Sequence, residues 1–366
     1  MIGLYFTDKP QSKYPMLVQL ESDNALDIPA GEHDFIVTDE FKASMDMNVL
    51  SIYPHAHYLA KVMEAFATLP DGSNKWLVEI KDWDLNWQGV FRYKKPVFLP
   101  KDSVVTMRYH FDNSADNPRN PNRPPKRAVG GNRADLEMSH FWLQVLPTAE
   151  GDQRAPLQES LVTQKLARYP DDFIANFTMG DLLLNKGKTP EAIQYFERAS
   201  KSDPSSVLAA SELGVTLFSA GQLARAELQF RRALIIDRFY TDARFNLASV
   251  EAAEGKYEAA VIEFKKVLTE KPGYAKASQR LGQVFTMWGD ALGQSGKDVE
   301  AIARYQKALP LIADNVDLRV RLGMAFARQE KLAESQAQFE AALHLKPDLK
   351  LAQEAIAAIK KRQTEK

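Results

Sequence analysis

The sequence predicts a multidomain all-β plus all-α protein, in which an antiparallel β-sandwich precedes an array of paired α-helices. Short β-rich runs separated by turn residues fill the first 147 residues, without helical periodicity. Beyond them, glycine and aromatic residues recur every 34 residues within amphipathic helical segments. We therefore place the sandwich at residues 1–147, a polar linker at 148–156 and the helical array at 157–366.

The composition excludes several classes of partner and site. The 366 residues carry 47 Lys plus Arg against 48 Asp plus Glu, so no positive field favours nucleic acid or an anionic membrane. No apolar run approaches the roughly 20 residues of a membrane-spanning helix. The chain has no cysteine, which excludes disulfides and thiolate ligands and leaves the cellular compartment open. Any metal site must therefore use histidine, methionine or carboxylate ligands.

The sandwich prediction depends on about eight β-rich runs. They occupy residues 1–7, 33–38, 47–53, 62–69, 75–80, 90–93, 104–111 and 141–146. The Pro70-Asp-Gly-Ser73 sequence is typical of a turn that reverses antiparallel strands, and it predicts a hairpin between the fourth and fifth runs. Residues 112–125 are rich in Pro and Asn, which predicts a solvated loop with no recognisable calcium-binding spacing.

A histidine pair, His55 and His57, is the most distinctive chemical feature of the chain. If the preceding strand continues through both, alternation places their imidazoles on one face, close enough to share a metal ion. Met138 and His140 are candidates for a third ligand and are predicted to lie on a common strand face. A thioether beside two imidazoles favours copper, whereas three imidazoles would also suit zinc. The alternative is that the histidines are structural and Met138 is core packing.

The same residues carry a family resemblance that covers about residues 1–147. The stretch His55-Ala-His-Tyr-Leu-Ala-Lys-Val62, the later Glu137-Met138 pair and segments 2–7, 82–88 and 112–118 resemble copper type II ascorbate-dependent monooxygenases. The similar part is the C-terminal domain of that family, which includes peptidylglycine alpha-hydroxylating monooxygenase and dopamine beta-monooxygenase. The resemblance implies one oxygen-activating copper held by His55, His57 and Met138, with His140 outside the ligand set. It also implies hydroxylation of an activated C–H bond.

The resemblance further implies a second copper ion, bound by a preceding sandwich domain. Residues 1–7 begin in mid-pattern, so we expect the chain to be a fragment whose missing domain, or another polypeptide, supplies that copper. No signal peptide is visible from Met1 onward, and the resemblance alone suggests a periplasmic or extracytoplasmic location.

The helical part resembles tetratricopeptide repeats. Its 34-residue markers are Gly187, Gly221 and Gly255, Phe196, Phe230 and Phe264, and Ala192, Ala226 and Ala260. Tyr305 follows Phe264 by 41 residues and Phe339 follows by 34 more, so seven residues are inserted in the fourth repeat. Because seven residues make about two helical turns, we expect a longer first helix within residues 275–292. Five repeats and a capping helix at 349–362 complete the predicted array.

Such an array predicts a protein or peptide partner bound along the concave face. The carboxylate-binding variety relies on Lys, Arg and Asn on first helices; because the positions compared here include Phe177, Ser211, Glu212 and Phe245, and only Asn246 matches, the sequence argues against a C-terminal carboxylate ligand. Two function classes follow. The first is a copper monooxygenase-like protein whose repeats recruit a partner, and the alternative is a non-enzymatic repeat protein with a structural or degenerate sandwich.

Overall fold

The computed structural model describes residues 12–22, 25–131, 133 and 136–364. The first predicted strand, residues 1–7, lies outside the described residues. The chain forms two compact units that divide after Leu182. Among the described residues, no helix is both long enough and apolar enough to cross a bilayer.

The first unit contains two four-stranded antiparallel sheets, which confirms the predicted sandwich class. The strands are β1 (Met16–Glu21), β2 (Asp27–Ile28), β3 (Phe35–Lys42), β4 (Met47–His55), β5 (Ala60–Thr68), β6 (Asn74–Ile80), β7 (Phe91–Leu99), β8 (Val104–Phe111), β9 (Ala128–Val129) and β10 (His140–Pro147). One sheet has the order β1-β10-β4-β7, the other has the order β3-β8-β5-β6, and β2 pairs with β9. Alternate residues of β8 are buried, as expected of strands with one face on a core.

The predicted hairpin is present between β5 and β6. Its turn is closed by backbone hydrogen bonds from Gly72 to Leu69 and from Leu69 to Ser73, at 2.9 and 2.8 Å. Gly72 has a φ of +83°, a left-handed conformation that residues with a side chain rarely adopt. The glycine therefore makes this tight reversal possible.

Two strand limits correct the argument made from alternation. β4 ends at His55, so His57 lies just beyond it in the connection to β5. β10 begins at His140, so Met138 precedes the strand and does not share a strand face with His140. The local geometry of both pairs is thus set by connecting segments, and strand alternation does not apply to them.

The loop that follows β8 is also different from the expectation, because its polar side chains are buried and not solvated. The amide of Asn113 donates to the carbonyls of Pro29 and Lys126 at 2.9 and 2.8 Å. Asn120 in turn donates to the side-chain oxygen of Asn113 at 2.9 Å. Buried amides whose hydrogen bonds are satisfied in this way serve as a polar core for an irregular segment.

The first helix, α1 (Arg154–Arg168), lies against the edge formed by β1 and β3. Arg168 pairs with Asp39 at 2.6 Å, Lys165 pairs with Glu21, and Gln164 exchanges hydrogen bonds with the backbone of Lys42. The helix begins inside the segment expected to be a linker, and it covers one edge of the sandwich. Covering an edge in this way prevents further strand pairing there.

Helical hairpins follow. The helices are α2 (Phe173–Asn185), which crosses the division between the units, α3 (Thr189–Ser202), α4 (Val207–Ser219), α5 (Leu223–Ile236), α6 (Thr241–Ala253), α7 (Tyr257–Glu270), α8 (Ala275–Gln294), α9 (Asp298–Ala308), α10 (Val316–Arg328), α11 (Leu332–Leu345) and α12 (Lys350–Thr364). α8 has 20 residues where α6 and α10 have 13, and this is the helix to which the sequence assigns the seven inserted residues.

The repeated markers occupy equivalent structural positions. Phe196, Phe230, Phe264, Tyr305 and Phe339 are all buried on the second helices of successive hairpins. The glycines at 187, 221, 255 and 296 have φ values of +72° to +76° in the turns between paired helices. A left-handed residue at this position ends one helix and lets the chain reverse into the next.

Candidate functional site

The predicted metal-binding histidines lie side by side at the end of β4. The ring centroids of His55 and His57 are 5.5 Å apart, and the two rings are nearly perpendicular, at 88°. His57 is buried, with 7% of its surface exposed, and His55 is half-buried. The structure therefore brings these two predicted residues together, although His57 does not lie on a strand.

In each histidine ring, Nδ1 contacts an oxygen acceptor. His55 Nδ1 lies 2.6 Å from Gln88 Oε1, and His57 Nδ1 lies 2.6 Å from the backbone carbonyl oxygen of Leu136. Because these oxygens only accept hydrogen bonds, each Nδ1 must carry the proton, so that Nε2 carries the lone pair. This is the arrangement by which a second hydrogen bond orients a metal-ligating histidine.

Three buried side chains hold the backbone that carries the histidine pair. Glu137 accepts from the N–H groups of His57 and Leu59 at 3.1 and 2.8 Å. Trp83 Nε1 donates to the carbonyl of His57 at 3.1 Å, and the Tyr109 hydroxyl donates to the carbonyl of His55 at 3.3 Å. The connection between β4 and β5 is thus fixed by side chains that are distant in sequence.

Glu137 has an unusual environment for a carboxyl group, since only 2% of its surface is exposed. Burial raises its pKa to about 8, and the backbone N–H groups of Leu59 and His57 oppose that rise. The side chain joins the segment that precedes β10 to the histidine segment. Its position next to Met138 makes it the structural link between the two parts of the predicted site.

The two candidate third ligands occupy different positions. Met138 is half-buried, and its neighbours Leu136 and Glu137 both hydrogen bond to His57. The His140 ring is 6.2 Å from that of His55, and its Nε2 is 3.8 Å from a carboxylate oxygen of Glu21. Within the described ranges, no three His, Cys, Asp or Glu side chains converge as a metal site, which counts against a three-imidazole zinc centre.

A second candidate site is a pocket of about 330 Å³ in the repeat array. All of its lining residues except Phe264 come from the first helices α4, α6 and α8. The buried side chains of Phe245, Phe264 and Val284 make its floor, and Met287 is exposed beside them. The first helices thus form an apolar groove of the kind that the repeat pattern predicts.

Two cations and one amide line the same pocket, namely Lys276, Arg280 and Asn246. Lys276 Nζ lies 5.2 Å from the ring centre of Phe245, and the Arg280 guanidinium donates to Gln283 at 3.0 Å. No carboxylate lines the pocket, and in the described part of the chain neither cation pairs with an acidic side chain. The sequence comparison, which found only Asn246, therefore overlooked the two basic residues of α8.

Comparison with known families supports the repeat array. A family model described as tetratricopeptide repeat matches residues 177–240 and 236–275. Together with the helical hairpins, this match shows that the α-helical part is a tetratricopeptide-repeat solenoid, as predicted. The matched residues lie within the helical part, and the likeness of residues 1–147 to copper monooxygenases stays a prediction.

Similar proteins share only part of their length with this chain. Human protein O-mannosyl-transferase TMTC1 is 24% identical over 181 residues, which are 50% of this chain and 20% of the relative. The TPR repeat-containing thioredoxin TTL4 of Arabidopsis thaliana is 31% identical over 117 residues, 32% of this chain and 16% of the relative. The chain therefore spans a fifth or less of these curated relatives.

Solved structures with a similar helical arrangement include YrrB, described as a TPR protein with an unusual peptide-binding site, and MamA. YrrB is 18% identical, with a TM-score of 0.41, covering 54% of this chain and 98% of its own. MamA is 22% identical, with a TM-score of 0.40, covering 48% and 92%.

Proposed function

We propose that this chain is an interaction protein whose repeat array binds an acidic peptide segment in the groove of α4, α6 and α8. The observation that carries the proposal is the pocket that combines a buried Phe245 floor with the exposed cations Lys276 and Arg280. Apolar floors bind side chains by removing them from water, and unpaired cations at the rim favour carboxylates and repel basic segments.

The lining residues define the partner more closely. The volume of about 330 Å³ accommodates one apolar side chain of the partner above Phe245 and Val284. Lys276 and Arg280 lie four residues apart, one helical turn, so two carboxylates of an extended segment can pair with them. Asn246 supplies an amide for the backbone of the peptide. The ligand class is therefore an apolar residue flanked by Asp, Glu or a chain-terminal carboxylate.

Selection from a library of random displayed peptides against the whole chain tests this proposal. We expect enrichment of sequences in which acidic residues flank an apolar one, and loss of that enrichment with Lys276→Glu/Arg280→Glu. The matched control is Lys265→Glu/Lys307→Glu, which changes exposed lysines on the second helices α7 and α9. Absence of any enriched peptide, or an enrichment of basic sequences, would contradict the proposal.

A second candidate function is a mononuclear copper half-site in the sandwich. The observation that favours it is the pair of histidines whose Nδ1 atoms both face oxygen acceptors, which leaves both lone pairs on Nε2. His55, His57 and Met138 would hold the ion, and two imidazoles with a thioether suit copper in both oxidation states. When bound, copper supplies activation of O2 for hydroxylation of a C–H bond.

In this candidate function, the residues of the chain bind and orient. Gln88 and the Leu136 carbonyl orient the two imidazoles, and Glu137 holds the backbone of His57. Turnover needs a second copper-binding domain, which we assign to another polypeptide or to a longer form of the protein. An extracytoplasmic location would follow from the same proposal.

X-ray absorption of the chain loaded anaerobically with Cu(I) tests the half-site. We expect one bound copper with nitrogen and sulfur neighbours, loss of the sulfur shell in Met138→Ala and loss of binding in His57→Ala. Failure of the wild-type chain to bind copper would remove this candidate. Sulfur scattering that persists in Met138→Ala would show that the third ligand is misassigned.

A further inference from the structure

Gln88 reaches the histidine pair from a segment that the sequence gives no reason to connect with it. Its Oε1 lies 2.6 Å from His55 Nδ1 and accepts the hydroxyl of Tyr53 at 3.2 Å. One amide oxygen therefore receives two donors from the same strand, β4. A carbonyl oxygen can accept two hydrogen bonds, so both contacts are compatible with one orientation of the amide.

The segment that carries Gln88 is anchored on both sides of the histidine pair. Residues Leu85–Trp87 form a single 3-10 turn that ends at Gln88 and is capped by the carboxylate of Asp84. Before this turn, the buried Trp83 donates to the carbonyl of His57, and Asp82 accepts two hydrogen bonds from Arg119. The segment from 82 to 88 thus contacts the backbone of one histidine and the ring of the other.

We infer that Gln88 is a positioning residue that holds the His55 imidazole in one orientation with its proton on Nδ1. The hydrogen bond made by one ring nitrogen decides which nitrogen is protonated, and therefore which one can serve as a ligand. His57 has the same tautomer set by a backbone carbonyl, which no substitution of Leu136 would remove. For His55 the acceptor is a side chain, so its tautomer can be changed by mutation.

The effect on metal binding rests on the proposed copper half-site, but the tautomer itself does not. An imidazole in water prefers the form protonated at Nε2, and that form cannot ligate a metal through Nε2. Loss of the Gln88 acceptor should therefore lower metal affinity even though Gln88 touches no metal. Substitution of residues that orient a ligand typically weakens metal binding by about 10- to 100-fold.

The test uses the metal-free full chain labelled with ¹⁵N, at about pH 8 where an ordinary histidine is neutral. Long-range ¹H–¹⁵N correlation spectra distinguish the two tautomers of each ring. We expect the Nδ1-protonated pattern for His55 in the wild type and in Gln88→Glu, which keeps an acceptor oxygen. In Gln88→Leu we expect His55, and not His57, to change to the Nε2-protonated pattern.

Gln158→Leu on α1 is the matched control, and an amide spectrum of each variant verifies that the sandwich is folded. An Nε2-protonated His55 in the wild type would overturn the inference, because the Gln88 amide would then have the opposite orientation. An unchanged His55 pattern in Gln88→Leu would overturn it as well.

A Cu(I) competition titration of the same proteins separates this inference from the copper proposal. We expect Gln88→Leu to bind Cu(I) at least tenfold more weakly than the wild type, with Gln88→Glu close to the wild type. If no variant binds Cu(I) but the tautomers respond as expected, the positioning role stands and the half-site fails. If Cu(I) binds equally to all variants, Gln88 has no role in metal binding.

Discussion

Glu137 accepts the backbone N–H of His57 at 3.1 Å, across 80 residues of sequence. The same carboxyl group accepts from Leu59 at 2.8 Å, so one buried side chain satisfies two backbone donors of the β4–β5 connection. This relationship explains how an irregular segment can present two imidazoles in a fixed geometry. The segment's rigidity comes from side chains on other strands and not from strand pairing.

Replacement of Glu137 by Ala should destabilise the sandwich by about 3 kcal/mol, because two buried N–H groups lose their acceptor. Hydrogen exchange at the amides of His57 and Leu59, together with denaturant unfolding, measures the effect. Glu137→Gln keeps one acceptor oxygen and should cost less. Equal stability of Glu137→Ala and the wild type would show that water or another group replaces the carboxyl.

Replacement of Glu330 by Gly should stabilise the repeat array by about 1 kcal/mol, since a left-handed backbone is unfavourable for residues with a Cβ. Glu330 has a φ of +55° and stands 34 residues after Gly296, where the other described hairpin turns have glycine. The thermal midpoint, followed by circular dichroism, should rise. Gly255→Ala is the converse variant and should lower it. A fall in Glu330→Gly would mean that its side chain makes a contact worth more than the strain.

Replacement of Gly289 by Ala should cost more stability than replacement of Gly323 by Ala, about 3 against about 1 kcal/mol. A Cβ on Gly289 would lie 2.4 Å from the Tyr305 ring, whereas one on Gly323 would lie 3.1 Å from the Phe339 ring. Tyr305 also donates to Asp290 at 2.8 Å, so its ring cannot move without loss of that bond. Urea unfolding of both variants measures the difference, and the reverse ranking would contradict the packing described.

Replacement of Arg231 by Leu should destabilise the array by about 2 kcal/mol at neutral pH, because Glu251 is buried and Arg231 is its cationic partner at 2.8 Å. Burial already raises the pKa of Glu251, and Arg231 opposes that rise. Without Arg231 the folded-state pKa rises further above the unfolded value, so protonation favours the fold.

The stability deficit of Arg231→Leu should therefore shrink as the pH falls from about 7 to about 5. Thermal midpoints of the variant and the wild type across this range measure the difference. Glu251→Gln combined with Arg231→Leu removes the ionised group and should abolish the pH dependence of the deficit. A deficit that grows at lower pH would show that Glu251 is not its source.

The periodic parts of the molecule are those that the sequence predicts well. Buried Phe230, Phe264 and Phe339 recur with the spacing of the repeats, and local periodicity is enough to assign paired helices. The strand-rich composition likewise predicts a sandwich. Each of these features depends on neighbours within one helix, strand or turn.

The features that the sequence does not predict depend on long-range contacts. Gln88 meets His55 across 33 residues, and Asn113 is buried because Pro29 and Lys126 supply carbonyls to its amide. His57 was expected on a strand that in fact ends at His55. Lys276 and Arg280 look like ordinary exposed helix residues until α6 is placed opposite them.

The central claim is that the groove of the repeats binds an acidic segment through Lys276 and Arg280. Fluorescence anisotropy of one selected acidic peptide, titrated with the wild type and with Lys276→Ala/Arg280→Ala, tests it most directly. We predict at least a tenfold weaker Kd for the double variant, about 1.4 kcal/mol, and weaker wild-type binding as salt is raised. Equal affinities for the two proteins would contradict the claim.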